Sequence, residues 1–254
     1  MSKYDVLCVG SATVDTFLTI EESFSSIHAG DKALVKSVDK RSGGGAANSA
    51  SALAKLGLKV KTLTKLGGDS DGDLILKELR EEGINNICHA RSRQKTDSAT
   101  IISSTKEKDR IILVHKGAST DLSVKDYKQS QLRTQWVYLA TLTGKSFQVA
   151  SHLSGLQNIS LLFNPSLYLA QKGKTYLKNI LQNTTILVLN KEEAQALLGN
   201  NSGNFEFLLK ELQACGPEIV VVTNGRKGLY ALQNCTLYSL TKTPNVKIVH
   251  TAGA

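Results

Sequence analysis

Ser42-Gly43-Gly44-Gly45-Ala46-Ala47-Asn48-Ser49-Ala50 is the stretch on which the reading of this chain turns. Three consecutive glycines run directly into a segment, residues 46–56, whose apolar spacing is helical and which closes at Gly57. Glycine lets backbone come close to a ligand, and a helix N-terminus offers N–H groups that lack intrahelical partners. Asn48 adds a side chain with both donors and an acceptor, suited to hydroxyl groups. Two readings fit these nine residues: a cradle for a polar ligand, or a tight glycine turn with Asn48 in the first turn of the helix.

Outward from this stretch, strand and helix patterns alternate, which predicts a mostly parallel sheet covered on both faces. Residues 4–10 read as a buried first strand ending in Gly10. Residues 59–66 read as the next strand, followed by Gly67-Gly68 and a helix over 71–82 closed by Gly83. Later strands are predicted at 136–140, 159–163, 185–189 and 218–223, with helices near 145–156, 167–182, 190–198 and 203–214. Four strand-like segments stand outside the alternation, at 13–20, 33–40, 98–104 and 110–115, the last two joined by the charged turn Lys106-Glu107-Lys108-Asp109. They form either a small sheet serving as a lid that excludes water from a pocket, or an extension of the main sheet.

Composition narrows the class. The 254 residues suffice for one large α/β domain, and no apolar run approaches the roughly 20 residues that cross a bilayer. The amino-terminal residues lack the charged, apolar and small-residue succession of a leader, so a cytoplasmic protein without membrane contact is expected. Cys8, Cys88, Cys215 and Cys235 are widely spaced, which predicts small buried hydrophobes rather than a disulfide framework or zinc site. Thirty-one Lys and Arg against 22 Asp and Glu give a net charge of +9. The excess is dispersed in short groups, so it reads as a solvated basic surface favouring phosphorylated ligands, with no nucleic-acid partner expected.

Gly43-Gly44, Ala46, Asn48, Ala50, Gly57 and Gly67 together resemble, position by position, the first signature of the ribokinase-type (PfkB) carbohydrate kinases. Gly10-Ser11-Ala12-Thr13-Val14-Asp15 resembles that family's first strand and substrate-gripping aspartate, and Gly30-Asp31 the turn before its second lid strand. The resemblance implies a ribokinase-like three-layer α/β sandwich, one domain over 1–254, with a small β lid. It implies transfer of the γ-phosphate of ATP to a sugar or nucleoside hydroxymethyl group, with Asp15, Gly44, Gly45 and Asn48 holding the acceptor. A carboxylate accepting two hydroxyl hydrogen bonds suits polyol recognition; taken alone, Asp15 also reads as a surface strand residue. The ribokinase subgroup carries Lys where Gly45 stands here, which leaves hexose, keto-acid sugar and nucleoside acceptors open. A homodimer formed through the lid is a further expectation.

Asn190-Lys191-Glu192-Glu193 follows a strand and resembles the family's N-x-x-E motif, which implies that Glu193 orders Mg2+ and Asn190 lies near the nucleotide. Asn190 as helix N-cap fits the same residues. Thr223-Asn224-Gly225-Arg226-Lys227-Gly228 resembles the family's T-x-G-x-x-G turn, placing Thr223 and Gly225 on the phosphates; Asn-Gly is also a hairpin signal, and the two are compatible. Gly144-Lys145-Ser146 mimics the end of a phosphate-binding loop, but Leu139 occupies the position that must be glycine, so that loop is rejected.

His250-Thr251-Ala252-Gly253-Ala254 resembles the opening of the family's second signature, with His250 in place of the usual Asp. Ala252, Gly253 and Ala254 would form part of an anion hole, and the signature continues with Gly and the general-base Asp beyond Ala254. The 254 residues are therefore expected to bind without significant turnover, as a C-terminally truncated kinase; the alternative is a sugar- or nucleotide-binding protein that does not turn over.

Overall fold

β1, Val6–Val9, is apolar on both sides because it lies inside a parallel sheet with packing on each face. The computed structural model describes residues 4–88 and 90–241. Leu7 and Val9 point into one core with Leu139, Phe163, Leu187 and Val220. Val6 and Cys8 point into a second with Ala47, Ala50, Ile75 and Leu79. The two-residue period of the strand thus divides one run of four apolar side chains between two layers.

Among the described residues the main sheet has nine strands. In spatial order they are β13 (Thr236–Leu240), β12 (Leu229–Gln233), β11 (Ile219–Thr223), β10 (Ile186–Asn190), β9 (Ser160–Phe163), β8 (Trp136–Leu139), β1, β4 (Val60–Leu63) and β5 (Asn85–Asn86). All pair in parallel except β12 and β13, which run antiparallel at one edge. The chain steps from β1 through β4 to β5 in one direction and from β8 through β11 in the other. The switch point therefore falls between β1 and β8, where open α/β sheets bind ligands beyond the carboxyl ends of their strands. Helix α1 (Gly45–Lys55) approaches β1 closely because Ala46, Ala47 and Ala50 form its buried side.

The segments outside the alternation form a separate four-stranded sheet in the order β3 (Val35–Gly43), β2 (Thr13–Ile20), β6 (Asp97–Ser104), β7 (Arg110–His115). It is a sheet of its own and not an extension of the main one. One face lies on α2 (Ser70–Glu81): Val14 joins the core of Ile75 and Leu79, and the Ser42 amide donates to Glu78 Oε2. Alternation then puts Asp15 on the opposite face.

Several expectations shift. β3 runs over Val35–Gly43 rather than 33–40, so the strand passes straight into the glycines. The helix expected over 167–182 is three short pieces, α4 (Leu167–Ala170), α5 (Gly173–Tyr176) and α6 (Lys178–Gln182), interrupted near Gly173 at φ +81°. β5, β12 and β13 were not anticipated; β11 and β12 form the hairpin that Asn224-Gly225 signals, while β12 and β13 turn at Asn234 and Cys235, both at positive φ. Cys235 is exposed, and Cys88 and Cys215 are half-buried, so only Cys8 is the buried hydrophobe expected. Helices α3 (Phe147–Ser154), α7 (Lys191–Leu198) and α8 (Phe205–Gln213) fall where expected. Among the described residues no helix is long and apolar enough to cross a membrane.

Asp69 starts α2 as its N-cap, accepting from the Gly72 amide at 2.9 Å, and also accepts from Thr96 N at 2.9 Å and Thr96 Oγ1 at 2.6 Å. Burial pushes the Asp69 carboxyl up, but these donors outweigh it and hold it below the usual carboxylate range. A depressed folded value contributes stability above the unfolded pKa that disappears as pH falls through the folded one. Asp69→Ala is expected to lower stability at pH 7 by about 1–3 kcal/mol in urea unfolding. The difference from wild type should shrink once the pH falls below the Asp69 value; a difference constant down to pH 2 would contradict the assignment.

Candidate active site

The glycine stretch sits where the carboxyl ends of β1 and β8 meet. Gly44 has φ +91°, and a Cβ there would lie 2.6 Å from the Ser11 carbonyl oxygen and 2.8 Å from Ala12 Cα. A Cβ on Gly45 would meet Ala140 Cβ at 2.6 Å. The Ala46 amide donates to Ser11 O at 2.9 Å and the Asn48 amide to Gly44 O at 2.9 Å, fixing the first turn of α1 against the β1–β2 connection. Backbone is pressed on backbone at the switch point, and side chains are excluded.

Asp15 reaches this place from β2. Thr13, two residues earlier on the same face, donates through Oγ1 to Asp15 Oδ1 at 2.8 Å. Gly43, paired with Thr13 across the strands, leaves the space that the Asp15 carboxylate occupies; a Cβ there would collide with it. The carboxylate is half-buried and turned toward the glycines, while Asn48 is exposed on α1. Asp15, Gly44, Gly45 and the α1 N-terminus are thus brought together.

The other motifs lie along the same edge. Asn190 and Thr223 are register partners at the ends of β10 and β11. Four strand spacings separate β1 from β11, roughly 19 Å across the sheet. Asn190 and Glu193 form a reciprocal capping box: Asn190 Oδ1 accepts from Glu193 N at 2.8 Å, and Glu193 Oε2 from Asn190 N at 2.9 Å. Burial pushes the Glu193 carboxyl above the usual range, Glu192 adds to this, and the amides of Asn190 and Leu167 pull it back. Among the described residues no cluster of three or more His, Cys, Asp or Glu is poised for a metal; the carboxylate beside Glu193 is that of Glu192. Gly225 opens the hairpin turn at φ +52°, with no atom within 4 Å of where its Cβ would be. Ala252, Gly253 and Ala254 lie outside the described residues.

Sequence reasoning passed over the floor between these two ends. Tyr138 donates to Asn164 Oδ1 at 3.0 Å, and Asn164 Nδ2 donates to Val188 O at 2.8 Å, linking β8, the end of β9 and β10. Burial, with Cys8 and Glu193 nearby, pushes the Tyr138 hydroxyl up to about 12. Asn164-Pro165 directly after an apolar strand was the available signal, as was Thr13 at the i−2 position from Asp15. The false phosphate loop is structural: Ser146 is buried, donating to Ser119 O and accepting from Leu122 N. A cavity of about 400 Å³ lies elsewhere, lined by Trp136, Leu162, Ile186 and Leu53, and is apolar.

A doubly wound sheet with a polar cradle at its switch point and a small sheet standing over it defines a ribokinase-like α/β protein. Residues 3–254 match the pfkB family of carbohydrate kinases, and the chain belongs to that family. It is 25% identical over 208 residues to an uncharacterized sugar kinase of Archaeoglobus fulgidus, covering 80% of each chain. It is 25% identical to ribokinase of Staphylococcus aureus, covering 89% of this chain and 74% of that one. To a nucleoside kinase of Methanocaldococcus jannaschii it is 27% identical, covering 88% and 70%. Ribokinase of Arabidopsis thaliana, solved with ribose and ATP, superimposes with a TM-score of 0.80 at 20% identity over 99% of this chain and 82% of that one. Thermotoga maritima ribokinase gives 0.81 at 21% identity, over 98% and 80%. At these identities the structural likenesses speak for the fold.

Gly44 and Gly57 share a positive φ, +91° and +90°, but only Gly44 has neighbours where a Cβ would go. Gly44→Ala should therefore cost more than Gly57→Ala by about 1–3 kcal/mol in urea unfolding. Equal costs would mean that the cradle is not pressed against Ser11 and Ala12.

Proposed function

We propose that the chain is an ATP-dependent kinase that phosphorylates a hydroxymethyl group of a sugar or nucleoside. The observation that carries this is Asp15: a carboxylate oriented by Thr13, given room by Gly43, and set over the glycine cradle at the switch point. In this reading Asp15 accepts hydrogen bonds from two acceptor hydroxyls, while Gly44, Gly45 and Asn48 hold the rest of the ring. Asn190, Thr223 and Gly225 take the nucleotide side, at adjoining strand ends with open space at the turn. ATP supplies the phosphoryl group when bound, and Mg2+ balances its charge. Glu193 fits a magnesium shell because its carboxyl is short of water and has a neighbouring carboxylate, so a cation beside it is favoured. The small sheet closes over the acceptor and excludes water from the transfer.

The same sheet supports the expectation of a homodimer. Both faces of β7 are exposed, with Ile111, Ile112, Leu113 and Val114 each between 42 and 57% accessible, and Val38 on β3 is 63% accessible. These apolar side chains favour pairing with a second copy through the lid.

Isothermal calorimetry on a panel of sugars, keto-acid sugars and nucleosides tests the acceptor site. Asp15→Ala should weaken the best ligand by about 1.5–3 kcal/mol per lost charge-assisted bond while leaving the unfolding midpoint near wild type. Unchanged affinity would remove Asp15 from the site. On the nucleotide side, Glu193→Gln keeps the shape of the side chain and removes its charge. It should reduce the gain in ATP affinity that magnesium provides, and equal magnesium dependence in both proteins would leave Glu193 as a helix cap alone.

A further inference from the structure

The small sheet joins the body through four roots, and they are built differently. β2 enters after Gly10, at φ +154°, and β3 leaves into Gly44, at φ +91°. The β6 root has no glycine; it is held by two carboxylates. Thr96 is fixed by Asp69 through both its amide and its hydroxyl, and its Oγ1 also accepts from the Gly67 amide at 3.0 Å. The next residue, Asp97, is fully buried and accepts from Gly117 N at 3.1 Å, Ser119 N at 2.9 Å and Ser119 Oγ at 2.5 Å. Lys116 Nζ stands 3.7 Å from the same carboxylate. Gly117 is glycine because Lys95 O occupies the place of its Cβ, and Ala118 N donates to that oxygen at 2.8 Å.

Consecutive residues are therefore pinned to two different parts of the body, Thr96 to the start of α2 and Asp97 to the segment after β7. From Ser119 the chain of bonds continues: its carbonyl accepts from the buried Ser146 Oγ at 2.6 Å, in the turn that follows β8. At the other side, Asp97 is the parallel register partner of Thr13, the residue that orients Asp15. The β6 root lies beside Thr13 and is tied to the loop beyond Ala140, against which the cradle packs.

We propose that Asp97 is a positioning residue: with Asp69 it makes the β6 root the fixed pivot on which the small sheet swings, so that Asp15 returns to one place over the cradle. The roots of β2 and β3, which hold no fully buried carboxylate, absorb the swing. A buried carboxylate with three strong donors resists opening, whereas a single backbone bond such as Ala46 N to Ser11 O yields at lower cost. The proposal rests on the acceptor-site reading for its consequence, though not for the pivot itself.

Hydrogen–deuterium exchange on the ligand-free chain tests the pivot. In wild type, amides of 116–120 are expected to exchange at least about tenfold more slowly than those of 42–46. Asp97→Asn should erase that difference while β8–β11 keep wild-type protection. The pivot is overturned if 116–120 stay protected in Asp97→Asn, or if protection falls equally across the main sheet. Thr96→Val, which removes one hydroxyl and keeps the shape, serves if Asp97→Asn does not fold, and should speed exchange at 67–72 and 94–97.

Calorimetry with D-ribose and with adenosine then tests the consequence. A sheet that is aligned one-tenth as often lowers apparent affinity about tenfold, so Asp97→Asn should weaken the acceptor by that factor and leave ATP binding unchanged. Accelerated exchange with unchanged acceptor affinity would make Asp97 structural only and defeat the proposal. If wild type binds neither ligand, the acceptor-site reading fails on these probes while the exchange result still decides the pivot.

Discussion

The close approach of backbone to backbone at Gly44 is the constraint from which the site follows. Where a side chain would stand, the Ser11 carbonyl oxygen lies at 2.6 Å, and the neighbouring glycine meets Ala140 just as tightly. Only with those side chains absent can α1 begin directly beneath the β1–β2 connection, with its Ala46 amide bonded to Ser11 O. That placement sets the first turn of α1 at the switch point of the sheet, and β2 then carries Asp15 over it. A doubly wound sheet provides the crevice, and the glycines decide how near a ligand is drawn to it.

Much of this was legible in the sequence because glycine spacing and strand periodicity are local signals. The glycine stretch, the helix after it and the first strand fell within a residue or two of their places. The four strands of the small sheet were separable because they come in two pairs with no long helical pattern inside either pair. What was not legible was non-local. The start of β3 depends on pairing with β2, where the register slips between Thr19 and Ile20, and nothing near residue 33 announces that. β13 is exposed along its length and β12 beside it is mostly half-buried, so neither shows a clear alternation. The helix over 167–182 had the right apolar spacing, but Gly173 overrides propensity at one position.

The candidate site divides in the same way. Asp15 and the glycines were readable from a motif, while Thr13, Tyr138 and Asn164 owe their importance to partners on other strands. At residues 190–193 and 223–228 the structure shows the cap and the hairpin, and the proposed nucleotide roles are compatible with both. Capping fixes the Glu193 side chain through one carboxylate oxygen and holds it at the strand end, which is where a cation near a phosphate has to be met. Under the proposed function, local stability and ligand chemistry would draw on the same side chains.

A crystal structure of the chain grown with a bound acceptor from the calorimetric panel tests the central claim most directly. The account places the ligand between Asp15 and the Gly44–Gly45 backbone, with two of its hydroxyls within about 3 Å of the Asp15 carboxylate oxygens. A ligand seated instead in the apolar cavity beside Trp136, Leu162 and Ile186, with Asp15 untouched, would contradict it.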